Sequence, residues 1–232
     1  MTFEPRFDGP KKAYPLAWDT MPHGAPQRPV ILVHGILGQR HLYWNLMRRR
    51  LEGDGFRVHE ATLPYTMLGD IRIAAGTLKD KVDATLVGDK VDKVDLVCHS
   101  AGGLVARYYL KFLGGHDHVG HCILLGTPHQ GTYFSYTLPL LHIARQARPG
   151  AHLLRELNEG PHPPVRLTNL WSRTDGIIFP PHHAQLEGAD NVEIPWTHHW
   201  AFLLSGKVYQ QIHQALLGPA AGRDAPATTA PA

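Results

Sequence analysis

Hydrophobic positions along this chain fall into two alternating patterns. Short runs that are mainly apolar occur at residues 29–33, 94–98 and 121–126, with shorter candidates at 57–62, 165–171 and 191–194. Between them lie stretches whose apolar residues recur every three or four positions. In residues 70–89 these are Ile71, Ala74, Ala75, Leu78, Val82 and Leu86, one face of a helix. Residues 41–51, 101–113 and 205–217 read as further helices. Strands that do not alternate polar with apolar are buried on both faces. Strands separated by helices pair in parallel. The pattern therefore predicts an α/β fold, a mostly parallel central sheet with helices on both faces. Residues 29–217 carry it. Residues 1–28, rich in proline and charge, read as an irregular lead-in, and residues 218–232, rich in proline, alanine and threonine, as a disordered tail.

The junction of one strand and helix carries the chemistry. Val94-Asp95-Leu96-Val97-Cys98 ends at His99-Ser100, and Ala101-Gly102-Gly103-Leu104 opens a helix at once. A serine on so tight a turn needs small neighbours two positions away on each side, here Cys98 and Gly102. The turn lifts the hydroxyl out of the sheet and aims the first helical amide, that of Ala101, at whatever the serine attacks. The competing reading is a serine that caps its helix. The usual pattern has glycine where Cys98 stands, and a thiol is small enough for the position.

A serine hydroxyl needs a base, and the base needs a carboxylate to fix its tautomer. In open parallel sheets such residues gather beyond the carboxyl ends of strands. Asp175 follows the strand ending at Trp171, whereas Asp190 precedes its own strand. His199 follows the strand at 191–194, and the adjacent His198 is equally placed by spacing alone. The loop His34-Gly35-Ile36-Leu37-Gly38, after the first strand, offers the Ile36 amide as a second oxyanion donor. The residues expected to line the substrate site are His34, Gly35 and Leu37 of that loop, His99 of the elbow, Pro128, and Leu138 and Leu141 of the segment 133–164. His34 is also expected to support its own loop.

Together with Gly-Thr-Pro-His-Gln-Gly-Thr at 126–132 and His99-Ser100-Ala101-Gly102-Gly103-Leu104-Val105-Ala106-Arg107-Tyr108-Tyr109, these motifs resemble the bacterial serine lipases and esterases of the α/β-hydrolase superfamily, in the triacylglycerol-lipase-like branch. The resemblance covers residues 29–217. It implies an α/β-hydrolase fold, a Ser100–Asp175–His199 triad, and His199 rather than His198 as base, because His199 leads through an apolar run to Ser205-Gly206-Lys207-Val208. It implies a carboxylic ester hydrolase working through an acyl-enzyme. A thioesterase, a polyester hydrolase, an acyltransferase or a binding protein on the same fold stays open. In similar lipases residues 133–164 form a lid that meets lipid; a fixed cap lining the acyl pocket is the alternative.

Composition narrows the partners. A net charge of +3 over 232 residues, with one dense basic cluster at Arg48-Arg49-Arg50, gives no nucleic-acid surface. The expected partner is a small-molecule or lipid ester, with transient contact at a lipid interface, no integral membrane segment and no cofactor. Cys98 and Cys122 read as two buried thiols. His116-Asp117-His118 and His121 read as a solvated histidine-rich loop rather than a metal site. The N-terminus shows no apolar leader, which points to the cytoplasm, or to secretion had a signal peptide been removed.

Overall fold

The computed structural model describes residues 28–36, 38, 43–64 and 68–218. Most of the expected lead-in and tail, and Leu37, lie outside these. Six strands form one sheet in the order β2-β1-β3-β4-β5-β6, every pair parallel. They are β1 (Val30–Val33), β2 (Val58–Ala61), β3 (Val94–His99), β4 (Val119–Leu125), β5 (Arg166–Trp171) and β6 (Asp190–Glu193). The helices are α1 (Asn45–Gly53), α2 (Ile71–Asp89), α3 (Ala101–Phe112), α4 (His142–Gln146), α5 (His152–Asn158) and α6 (Gly206–Leu217).

The two faces of the sheet bury separate apolar layers. Leu32, Val97, Ile123 and Leu170 face Met47 and Leu51 of α1 and Val208 and Ile212 of α6. Ile31, Leu96, Cys98, Cys122 and Leu124 face α2, α3 and α5. Successive side chains on a strand point to opposite faces, so a strand that serves both layers must be apolar at every position. His99 apart, which closes the strand, Asp95 is the exception in β3. It is buried and ion-paired with Arg28 at 2.7 Å.

Helix ends follow local chemistry. Asp70 caps α2 by accepting from the Arg72 amide at 2.8 Å, and Ser205 caps α6. Strand order reverses between β1 and β3: β2 lies outward of β1 on one side, and β4, β5 and β6 follow β3 on the other. The crevice at the carboxyl ends of β1 and β3 is the natural ligand position of such a sheet.

The segment 133–164 divides in two. Ile143 of α4 and Leu153, Leu154 and Leu157 of α5 are buried in the core. The α4 residue Gln146 bonds the Ile71 amide and the Asp70 carboxylate, both at the start of α2. The part before α4 instead leaves Tyr133, Phe134, Tyr136, Leu138 and Leu140 exposed.

Candidate active site

Ser100 stands at the turn between β3 and α3 with φ 56° and ψ −129°, a conformation that side chains rarely adopt. Its amide donates to Leu125 O at 2.9 Å, and its carbonyl accepts from Gly103 at 3.0 Å. Such strain costs about 1–3 kcal/mol and persists where the surroundings enforce it. Here they do. A Cβ on Gly102 would lie 2.6 Å from the carbonyl oxygens of both Val33 and His34, so α3 rests directly on the end of β1. Cys98 fits where glycine is usual because its side chain is fully buried in the α3 layer.

Ser100 makes no side-chain cap to α3, against the capping alternative. Its Oγ lies 2.9 Å from His199 Nε2. His199 Nδ1 is 3.0 and 2.9 Å from the two carboxylate oxygens of Asp175. A carboxylate accepts, so Nδ1 carries the hydrogen and Nε2 is left to accept from the serine. Asp175 is itself held: Oδ1 accepts from the Ile177 and Ile178 amides at 3.0 and 2.9 Å, and its carbonyl accepts from the His199 amide at 2.8 Å. Asp175 and His199 are 2% and 4% exposed. His198 is exposed, as is Asp190 at the start of β6.

The loop after β1 comes against the serine. A Cβ on Gly35 would lie 2.8 Å from Ser100 Cβ, so only glycine allows this approach. Ile36 follows at the turn. Ala101 is the first residue of α3, and its amide is among those with no carbonyl inside the helix.

Two of the residues expected to line the substrate site are placed otherwise. His34 is buried, donating from Nδ1 to Gly35 O at 2.8 Å and accepting at Nε2 from the Leu63 amide at 3.1 Å. Burial lowers its pKa from the ordinary imidazole value. It braces the loop, as its position at the end of β1 suggested. His99 is fully buried with both ring nitrogens bonded inside the protein, which leaves neither for a substrate. Pro128 is buried, Leu141 packs partly into the core, and Leu138 is exposed. Leu37 lies outside the described residues.

Sequence reasoning missed Tyr43, whose ring packs edge-on against His99 and Trp200. It also missed the exposed Phe179, Trp196 and Trp200, which follow the carboxyl ends of β5 and β6. Aromatic residues in the segments that follow strand ends were the available signal. A recess of about 1020 Å³ lies among His129, Leu154, Asn158, His162 and Leu186, and none of Ser100, Asp175 or His199 borders it.

Buried Arg107 donates to Leu157 O and Asn158 Oδ1 at 2.8 and 2.9 Å, capping α5, and approaches His129 Nδ1 at 3.4 Å. Desolvation pulls its pKa down to about 10. Among the described residues no three His, Cys, Asp or Glu side chains are grouped to hold a metal. His121 instead bonds Thr168 at 2.9 Å.

Comparison with known proteins agrees with this fold. The family model for palmitoyl protein thioesterase matches residues 29–160. The triacylglycerol lipase of Burkholderia plantarii is 32% identical over 129 residues, 53% of this chain and 36% of that protein. The lysosomal thioesterase PPT2 of Bos taurus is 30% identical over 119 residues, 48% of this chain and 37% of that protein. The aligned stretch thus spans little more than a third of these relatives. The crystal structure of mature Bacillus licheniformis lipase BlEst2 superposes with a TM-score of 0.73 at 18% identity, covering 84% of this chain and 94% of that one. The chain belongs to the palmitoyl protein thioesterase family and has the α/β-hydrolase fold.

Proposed function

We propose that the protein is a serine hydrolase of carboxylic esters acting through an acyl-enzyme. The observation that carries this is the unbroken hydrogen-bond line from Asp175 through His199 to the Oγ of Ser100. In this reading His199 takes the proton of Ser100 as the hydroxyl attacks the substrate carbonyl. Asp175 holds the ring and stabilises the imidazolium. The amides of Ile36 and Ala101 receive the oxyanion, where preorganised donors contribute about 3–4 kcal/mol each to the transition state. His199 then protonates the departing alcohol and activates the water that releases the acid.

The acyl group is apolar in this reading, supported by Leu138, Phe179 and Trp200 on the segments that follow β4, β5 and β6. Thioesters are a second substrate class, favoured by the family match over residues 29–160. Both reach the same acyl-enzyme and differ in the leaving group. The same exposed side chains support transient contact with a lipid surface.

The test is hydrolysis of nitrophenyl esters from acetyl to palmitoyl and of the matching acyl thioesters, with wild type beside Ser100→Ala. The serine is expected to account for about 10⁴–10⁶-fold of the rate, and a fluorophosphonate is expected to label Ser100. Folded wild type that neither turns over nor takes the label overturns the reading.

A further inference from the structure

His99, immediately before the serine, joins three parts of the site. Its Nε2 lies 2.9 Å from the main-chain carbonyl oxygen of His199, and its Nδ1 lies 2.6 Å from the Tyr43 hydroxyl. A carbonyl only accepts, so Nε2 carries the hydrogen. Nδ1 is then the acceptor, and Tyr43 donates to it. Tyr43 Oη in turn accepts from the Gly35 amide at 3.3 Å. Gly35 precedes Ile36 in the loop that touches Ser100. The peptide groups of His199 are thus held from both sides, its N–H by the Asp175 carbonyl and its C=O by the His99 ring.

We propose that Tyr43 and His99 are positioning residues, one buried relay that sets the oxyanion loop through the Gly35 amide and the base through the His199 carbonyl. This rests on the hydrolase reading above. The relay needs His99 neutral with its hydrogen on Nε2, since a proton added at Nδ1 would displace the Tyr43 donor. Its surroundings favour that form. The ring is fully buried among Tyr43, Trp44, His199, Trp200 and Phe202. Desolvation first, and then the charge of nearby His199, push its pKa well below the ordinary imidazole value.

Neutrality has a catalytic consequence. The His199 ring centroid is 4.7 Å away and becomes an imidazolium during each acyl transfer in this reading. A second cation there would oppose that step, whereas a neutral ring does not. Position matters as much as charge: a misplacement of about 1 Å in a reacting group can cost about 100-fold in rate.

The experiment uses the full chain with Tyr43→Phe, His99→Leu and His99→Gln, assayed on nitrophenyl butyrate with thermal midpoints in parallel. Glutamine is informative because its amide offers an acceptor oxygen and a donor NH₂ group where the neutral ring has an acceptor and a donor nitrogen. Tyr43→Phe and His99→Leu are expected to lower kcat about 10–100-fold with KM within about twofold, the pattern of lost alignment rather than lost binding. His99→Gln is expected to regain about fivefold or more over His99→Leu at an equal thermal midpoint. An active wild type whose folded variants keep full kcat overturns the relay alone. So does equal loss in the leucine and glutamine variants, tracking their midpoints. A wild type inert on esters and thioesters and unlabelled by fluorophosphonate overturns the hydrolase reading, and the relay with it.

Discussion

Asp175 holds both carboxylate oxygens within 3.0 Å of a single ring nitrogen of His199. That bidentate grip fixes the ring hydrogen on Nδ1 and turns Nε2 toward Ser100. Asp175→Asn would bring an NH₂ group into this place, because the Ile177 and Ile178 amides already require an acceptor at Oδ1. The imidazole would then carry its hydrogen on the wrong nitrogen. Turnover is expected to fall about 10³–10⁴-fold. The check is kcat beside a urea midpoint: an asparagine variant that stays folded and retains activity argues for another acid.

The elbow glycines should be intolerant in different degrees. A Cβ at Gly103 meets the Thr127 side chain, with Oγ1 at 2.1 Å, whereas one at Gly102 meets two backbone carbonyls of the first strand and the loop after it. Each alanine variant is expected to lose about 1–3 kcal/mol of stability. Gly102→Ala should lose more activity, because a side chain can turn aside and a strand end cannot. Gly76→Ala is the control. Gly76 lies within α2 with nothing within 4 Å of its added Cβ, so this variant is expected to gain about 0.5–1 kcal/mol. Urea denaturation of the three variants reads the stability changes, and kcat of the two elbow variants reads the difference in activity.

Acid should loosen the fold. His34, His99 and His129 are buried, and desolvation lowers the pKa of each below the value the unfolded chain would show. The unfolded state therefore binds more protons as pH falls through 6.5 toward the folded values. Stability rises with pH across that window by up to about 1.4 kcal/mol per pH unit for each ring. Thermal midpoints are expected to be level above about pH 7.5 and to decline between pH 6.5 and 5. A midpoint that rises on acidification over this range would contradict the account.

Both cysteines are expected to be silent in the native protein. Cys98 and Cys122 are fully buried and unpaired by disulfide, and burial pushes the Cys98 thiol pKa well above its ordinary value. Ellman's reagent should find almost no thiol at pH 8 and both after addition of guanidinium. Rapid native labelling would mean that β3 and β4 open more readily than their packing suggests.

Much of this architecture was legible because burial on two faces leaves apolar runs that need no partner to be recognised. The strand β4 begins at Val119, two residues before the apolar run was expected to start. Gly120 interrupts that run, and the register between β3 and β4 shifts at Val94 and Asp95. A Cβ on Gly120 would meet the Arg28 guanidinium within 2.4 Å, so a distant ion pair accounts for a glycine that reads locally as a turn. The six expected apolar positions of α2 were equally plain, since five are buried and Leu86 packs against the same layer.

The site was legible where one residue follows a strand end and opaque where contact is made across the chain. Spacing could name Asp175 and His199 as candidates, and the structure joins them to Ser100. It could not separate His199 from His198, since the choice depends on which side chain turns inward. It gave His99 to the substrate because of its place beside the serine, and nothing local reveals that Tyr43, 56 residues earlier, already occupies its ring. Hydrogen bonds between residues so far apart leave no periodicity to read.

The peptide groups around Ser100 touch without side chains between them: Gly35 lies against the serine itself, and Gly102 against the carbonyls of Val33 and His34. A joint made of bare main chain has no room for a side chain, so it is held by its glycines alone. Substitution is better borne farther out, at the exposed side chains of Tyr133, Phe134, Tyr136, Leu138 and Leu140. There a side chain can change while the turn at Ser100 keeps its shape.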